Sequence, residues 1–595
     1  MGKKFEWVRC VVIWFAAGQC LLGPASLAEG PRGGGPKGIT YRNTAPGVAY
    51  VGLRACVACH PDVADKFART DMGRSMSTPS LVPGSPELRG LPVRVFDAKS
   101  NCYFEVSRQG NDLYQSQYGL DASGNMPYSQ THKLVFAIGT GAAGITYAVQ
   151  RDDILLQAPL SFYSSTGTWD LSPGYESQNL GFNRPVQSQC VACHTGKPMP
   201  MAEAFNVPSS GFRQLTIGCE DCHGPGELHV AERLKGATPK GDVDTSIVNP
   251  AKLPGWLADN ICMNCHQKGD ARVLKPGKSV VDFRPGTPLD DTLAIFQIPL
   301  NRHAPPQSLS LDHYYGMTLS KCYIASRKLS CWSCHDPHEQ PAAAEKPDYF
   351  RKKCLQCHTD ASCKLSLSAR RIPKPPDDCA SCHMPKRDLA DISHTAHTDH
   401  RIRTTPGEPF LETSFQTTPQ LPDLFHISAP PGGAPVPPVT LLEAYAQLAS
   451  ARPDVYAARY LTLLDQTALL ESDNLFVLSA LAQEALQRRP KADDQAIRYL
   501  SRAVELGSEN PTVYSNLGQL LGRRGRLLES TEVLKRGLAL APYDAIFYSS
   551  LSINYITRGR YSEAAAIAME GLSRFPEDPV LKKMLRTARS DPSVH

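Results

Sequence analysis

Neither sign of charge dominates this 595-residue chain: 63 Lys and Arg stand against 58 Asp and Glu, a formal net charge of +5. That balance excludes the basic field that nucleic acid or an anionic membrane surface would attract. Long apolar runs are also scarce. One run, residues 11–22, is too short for a comfortable membrane span, and no second run follows it. Cysteine is missing from everything after Cys382, although the chain holds 19 in all. The C-terminal part therefore has no disulfide or thiolate chemistry, and whatever cysteine does is concentrated upstream.

The upstream cysteines follow one pattern, Cys-x-x-Cys-His, repeated seven times. In chain order the triplets are Cys56, Cys59 and His60; Cys190, Cys193 and His194; Cys219, Cys222 and His223; Cys262, Cys265 and His266; Cys331, Cys334 and His335; Cys354, Cys357 and His358; Cys379, Cys382 and His383. This is the attachment signature of c-type haem. Two thiols at this spacing reach the two vinyl groups of one porphyrin, and the next residue is held under the iron as proximal ligand. Cysteine pairs also build zinc ribbons and thioredoxin-like sites. Neither needs a histidine directly after the second cysteine, and here every pair carries one although the chain has only 17 histidines. Seven covalent haem c groups are expected. Outside the motifs, Cys10 and Cys20 lie in the leader, and Cys102, Cys322 and Cys363 remain. Those three allow at most one disulfide, for which Cys322 with Cys363 is the pair flanking the motif cluster; plain buried thiols are the other reading.

The order of segments suggests several domains. Residues 1–28 read as a secretory signal: Lys3, Lys4 and Arg9, then the apolar run, then Ser26-Leu27-Ala28 with cleavage after Ala28. Gln19 before Cys20 does not suit a lipoprotein site. An exported, periplasmic protein with no transmembrane span in the mature chain is expected, with an uncleaved anchor as the alternative. Residues 29–50 are rich in Gly and Pro and read as flexible. Residues 51–403 form the haem region. Within it, residues 90–185 alternate apolar and polar side chains and predict an antiparallel β-rich insertion; residues 62–69 predict a helix. From residue 187 to 401, six motifs share roughly 215 residues, too few to give each porphyrin its own apolar core. Short helices and loops packed on haems are expected there. Residues 404–440 read as an extended, poorly packed Pro-rich linker.

Residues 441–590 change character and predict an all-α solenoid. A shift of 34 residues superposes Tyr514 on Tyr548, Leu517 on Leu551, Gly537 on Gly571 and Pro542 on Pro576. This period and these residue types resemble the tetratricopeptide repeat. A looser copy covers residues 477–510, and residues 441–470 predict a degenerate cap. Such a solenoid offers a concave surface for a peptide or protein partner.

Function turns on the ligand across each iron from the proximal histidine. Eight further histidines lie in the haem region: His132, His229, His303, His313, His338, His394, His397 and His400. Bis-histidine ligation leaves no site for a substrate and suits electron transfer. His338 lies three residues after His335 and would serve a neighbouring haem, and His229 follows His223 in the same way. His394, His397 and His400 are spaced by three; on a helix they would share a face about 4.5 Å apart along the axis, so only one or two of them would ligate. His132 sits in the β-rich insertion and would reach over a haem from there. After His60, Met72 or Met76 offers sulfur for the first iron, or simple packing.

The stretch CVACHPDVADKFARTDMGRSM, with CEDCHGPG and CWSCHDPH, resembles the cytochrome c-554-type multihaem family, small electron-transfer cytochromes known from nitrifying bacteria. There a segment like residues 70–75 supplies a histidine; Met72 stands in that place here, so the resemblance implies His/Met ligation of the first haem. CHMPK at residues 382–386 looks like a segment of the pentahaem nitrite reductases. Their lysine-bearing haem motif has no counterpart, which counts against nitrite reduction. The expected function is electron passage through seven haems, with a redox protein as partner and the repeats docking a protein. The alternative is an oxidoreductase acting on a small nitrogen or sulfur compound at one open haem.

Overall fold

The computed structural model describes residues 39–175, 179–198, 212–239, 241–302, 311–388, 396–415, 420–488 and 492–590. The leader expectation, residues 1–28, lies outside them. No helix among the described residues is long and apolar enough to cross a membrane. The expected helix after His60 is present as Pro61–Ala68, opened by its proline.

Nine strands build the β-rich part: β1 (Met76–Ser77), β2 (Val93–Asp97), β3 (Cys102–Gln109), β4 (Asp112–Tyr118), β5 (Ser129–Ile138), β6 (Gly144–Arg151), β7 (Ile154–Gln157), β8 (Leu160–Tyr163) and β9 (Thr168–Leu171). They pair antiparallel in the order β2-β3-β4-β5-β6-β8-β9, with β1 added to β5 and β7 to β6. The ends β2 and β9 approach each other, so the sheet is a nearly closed barrel. Alternation explains its core. On β3, Cys102, Phe104 and Val106 point inward and meet Leu134, Tyr147, Leu160, Phe162 and Trp169. The buried amide of Gln115 bridges to β8, donating to Leu160 O at 2.8 Å and accepting from Leu160 N at 3.0 Å. That satisfies ladder groups which curvature would otherwise leave unpaired.

Each motif begins, lies in or follows on from a short helix: Leu53–Val57, Ser188–His194, Cys219–His223, Gly255–His266, Cys331–Cys334, Lys346–Cys354 and Cys379–His383. Where the helix spans the whole motif, as in Ser188–His194, Cys219–His223, Gly255–His266 and Cys379–His383, helical spacing places both cysteines and the following histidine on one face. Besides the ladder of Gly196–Pro198 with Phe212–Gln214, two small sheets join them. One pairs Ala271–Leu274 with Leu293–Gln297 and then with Phe425–His426; the other pairs Lys386–Asp388 with Ala396–Thr398. The second corrects the helical reading around His397. Arg387 lies opposite His397 in the ladder, and the buried Arg387–Asp399 ion pair at 2.8 Å fixes that hairpin. Nothing apolar is buried among the described residues between Leu319 and Phe425; the buried side chains there are Ser320, Ser330, Asp399, Arg401 and Ser414.

The Pro-rich linker is not loosely packed. Phe425 and Ser428 are buried, and His426 Nε2 lies 2.6 Å from Asp290 Oδ1 while its ring stacks on Phe296. Side chains distant in sequence thus anchor a segment whose composition alone reads as extended.

From residue 438 the chain is helical. Helices Pro438–Ala451 and Pro453–Ala468 pack as one hairpin. Three further hairpins follow: Leu475–Gln487 with Asp493–Glu505, Pro511–Arg523 with Leu527–Leu540, and Ala545–Thr557 with Tyr561–Arg574, closed by Pro579–Arg589. The 34-residue period reappears as repeated contacts. Tyr514 OH donates to Ser508 O at 2.6 Å, and Tyr548 OH to Pro542 O at 2.9 Å. Asn510, Asp544 and Asp578 each cap the next helix, accepting from backbone amides.

This domain is fastened at two places. Val439, Leu442 and Tyr445 pack against Ala271, Val273 and Phe296, and Gln447 bonds both backbone groups of Arg272 at 3.1 and 3.0 Å. At the other end, the carbonyls of Ser573 and Arg574 accept from Gln130 (2.9 Å) and Asn183 (3.0 Å) of the β-rich part. A Cβ on Gly537 would sit 2.2 Å from Phe547 and 2.7 Å from Tyr514, where two hairpins meet. Gly537→Ala is expected to cost about 1–3 kcal/mol through overpacking, and Asp544→Ala about 1 kcal/mol through its lost cap. Thermal unfolding of the full chain, followed by far-ultraviolet circular dichroism, measures both.

Candidate haem-attachment sites

The motifs meet across the chain through their own cysteines. Cys56 lies beside Cys219, Cys193 beside Cys265, Cys262 beside Cys331, and Cys354 beside Cys379. Helix contacts follow the same pairs and add motif five to motif six. In space, motifs two, four, five, six and seven therefore form a line, and motifs one and three form a pair. Strand Gly196–Pro198, which follows motif two, touches the motif-three helix and joins pair to line. Asp259 locks one junction. It lies on the motif-four helix and accepts from the backbone N–H of Cys331 at 3.0 Å, and burial pushes its pKa up to about 6.

The histidines also meet in twos. The rings of His223 and His338 have centres 6.0 Å apart, those of His266 and His313 5.8 Å, and those of His335 and His400 6.3 Å. A metal-bound imidazole nitrogen lies about 2 Å from its metal, so two imidazoles across one iron have ring centres roughly 6 Å apart. Each pair joins a proximal histidine to one of the distal candidates. Ring orientation fits too. His223 Nδ1 lies 2.8 Å from Val248 O, His383 Nδ1 2.5 Å from Arg403 O, and His400 Nδ1 2.8 Å from Thr398 O. A proton held on Nδ1 by a carbonyl leaves the Nε2 lone pair for a metal. Burial keeps these rings neutral: it lowers the pKa of His194, His223, His266 and His335, and takes His313 to about 3 and His400 to about 4.

Other predicted residues stand elsewhere. His132 packs on Phe182 at 4.5 Å within the sheet, and burial, then the Arg151 charge, lowers its pKa to about 4. Its ring neighbour is an aromatic core residue, not a proximal histidine. His229 Nδ1 lies 3.0 Å from Asp244 Oδ2, and the ring is an electrostatic neighbour of His223, as is His60. His397 lies 5.7 Å from His313, with Nε2 3.4 Å from Leu311 O. His358 keeps its place after Cys357 as the motif turn leaves the helix. His303 and His394 lie outside the described residues. Met72 opens the short turn Met72–Arg74 and is half-buried; Met76 is fully buried in β1. Cys102, Cys322 and Cys363 are all free, so the suggested Cys322–Cys363 bridge is not formed. Cys322 instead neighbours Cys334 and Cys357. Sequence reasoning passed over His426, whose role is structural, and Asp259, whose contact with Cys331 no motif announces.

Among the described residues, no three His, Cys, Asp or Glu side chains gather as a metal site. The histidine rings come two at a time, the number of protein ligands a haem iron would take. Buried polar atoms fit the rest of the group. Arg401 is 2% exposed, and its Nε, the Nε of Arg403 and the Nδ1 of His397 have no partner within the protein. Propionates are anions that such buried donors would satisfy. The residues present therefore fit haem.

No family model matches the chain, and no curated protein matches it. Several solved structures are similar over part of it. The tetratricopeptide domain of Arabidopsis OM64 is 18% identical over 20% of this chain and 94% of that chain, with a TM-score of 0.18. MamA is 18% identical over 26% of this chain and 80% of its own, with a TM-score of 0.20. The first tetratricopeptide domain of Spaghetti (RPAP3), bound to an HSP90 peptide, is 16% identical over 20% and 93%, with a TM-score of 0.18. Scores this low carry no argument; the repeat rests on the helix hairpins themselves.

Because His132 faces Phe182, His132→Phe should leave the reduced α-band and Soret spectrum unchanged. A spectrum altered by one haem would put this ring on an iron after all.

Proposed function

We propose that this protein is an exported multihaem cytochrome that passes electrons through seven covalent haems, with its helical repeats docking a protein partner. The observation that carries the reading is the set of three facing histidine pairs, each joining a motif histidine to a histidine from a distant segment at 5.8–6.3 Å. Bound there, haem supplies a reversible one-electron iron couple. The protein's part is to hold each ring. Backbone carbonyls of Val248, Arg403 and Thr398 would fix the tautomers, and burial keeps the lone pairs of His223 and His400 unprotonated. Two ligands on an iron exclude substrate and favour transfer over catalysis.

The line of motifs supports the same reading. A thioether sulfur sits at its porphyrin's edge, so cysteines that touch across motifs bring edges side by side. The missing apolar core between Leu319 and Phe425 leaves room that three porphyrins would fill. The repeats, fastened beside motif four through Gln447 and Arg272, hold any docked redox partner at a fixed place relative to that line.

Purified holoprotein should give seven haems per chain by pyridine haemochrome assay. If the two-ligand arrangement of the three histidine pairs extends to all seven motifs, dithionite reduction followed by carbon monoxide should leave the Soret band unmoved. A shift worth one haem would instead support an open iron and the oxidoreductase alternative, to be followed with nitrite, hydroxylamine and sulfite.

A further inference from the structure

Four histidine rings gather where motifs four and five meet, the two motif histidines His266 and His335 being close enough to feel each other's charge. His266 faces His313 at 5.8 Å, His313 touches His400 at 4.2 Å, and His400 faces His335 at 6.3 Å. The outer two are the motif histidines; the inner two come from the helix His313–Thr318 and from the residues after the strand Ala396–Thr398. The spacing alternates as two iron sites in ring contact require. The outer gaps each suit one iron between two imidazoles, and the inner gap is too short for an iron and matches direct ring contact.

The surroundings are built for this contact. A Cβ on Gly316 would lie 3.2 Å from Arg401 N and 3.5 Å from the carbonyl carbon of His400, so glycine lets the two backbones close up. Ile402 N donates to Ser320 Oγ at 2.9 Å and pins the same segment. His400 holds its Nδ1 proton on Thr398 O, and one His313 nitrogen donates to the backbone carbonyl of His266, leaving the other nitrogen of each ring free. The two motifs are joined independently on the cysteine side, through Cys262 with Cys331 and Asp259 with the Cys331 amide.

We propose that His313 and His400 are the distal ligands of the irons at motifs four and five, and that their touching rings link these two irons ligand to ligand. The inference rests on the haem reading above. His397, 5.7 Å from His313, is the competing ring and on this assignment ligates neither of these two irons.

The test uses the full-length holoprotein. His313→Ala and His400→Ala should each open one iron, giving a carbon monoxide shift worth one haem in seven, and the double variant a shift worth two. His397→Ala should leave both irons closed to carbon monoxide. Where an alanine variant loses haem, His313→Met and His400→Met keep an iron ligand, and each should add a near-infrared sulfur-to-iron band. In electron paramagnetic resonance of the oxidised protein, His313→Met should alter two low-spin signals, its own and that of the iron reached through His400. Closed irons in both alanine variants, or no sulfur band in the methionine variants, would overturn the ligand assignment. A change confined to one low-spin signal would overturn the linkage. A chain without covalent haem would instead remove the electron-carrier reading itself, which the haemochrome count detects first.

Discussion

Between Leu319 and Phe425 the described chain buries no apolar side chain, yet it folds back on itself with three motifs in contact. Backbone ordering costs about 1–2 kcal/mol per residue, and apolar burial is the main term that offsets it. A stretch without that term needs another source of contact. Covalent porphyrins, as proposed, are large apolar plates that fill this role. The polar residues that are buried there agree with that account: Arg401 and Asp399 suit the charged margins of such plates better than an aliphatic core. On either side the chain has ordinary cores, in the nearly closed sheet and in the helical hairpins. The motif-dense middle is held between two bodies that fold on conventional terms.

The parts of the fold legible in the sequence were those governed by local period. Alternation over residues 102–106 placed Cys102, Phe104 and Val106 on one face, and the 34-residue repeat of tyrosine, glycine and proline anticipated the hairpins. The parts that were not legible depend on distant partners. Three-residue spacing suggested a shared helical face for His394, His397 and His400, but the ladder to Arg387 puts His397 on a strand, and His394 lies outside the described residues. Proline content made residues 404–440 look loose, but Phe425 and His426 find a sheet edge and Asp290. Long-range pairing of this kind leaves no periodic trace in a single sequence.

The candidate site divides in the same way. The motif histidines are legible because each directly follows the second cysteine of its pair. Their ring neighbours obey no such rule, since any segment that reaches them will serve. His338, His313 and His400 come from a loop, a helix start and a strand end. His132, equally plausible from its place between motifs, belongs to the packing of the sheet around Phe182. Counting histidines says only how many rings are on offer; the ring-to-ring distances show which of them stand beside a motif histidine.

That distinction bears on why the repeats are fastened at both ends rather than hanging from a flexible linker. A docking module on a loose tether would present its partner to a changing set of haems, and the rate of transfer falls steeply with distance. Here Tyr445 and Gln447 bind the first hairpin to the strand that follows motif four, while Ser573 and Arg574 bind the last to Gln130 and Asn183. Bending the solenoid would have to break one of these junctions. The same contacts that let the repeats share the cost of ordering the chain therefore also fix where the repeats sit relative to the motif-bearing helices.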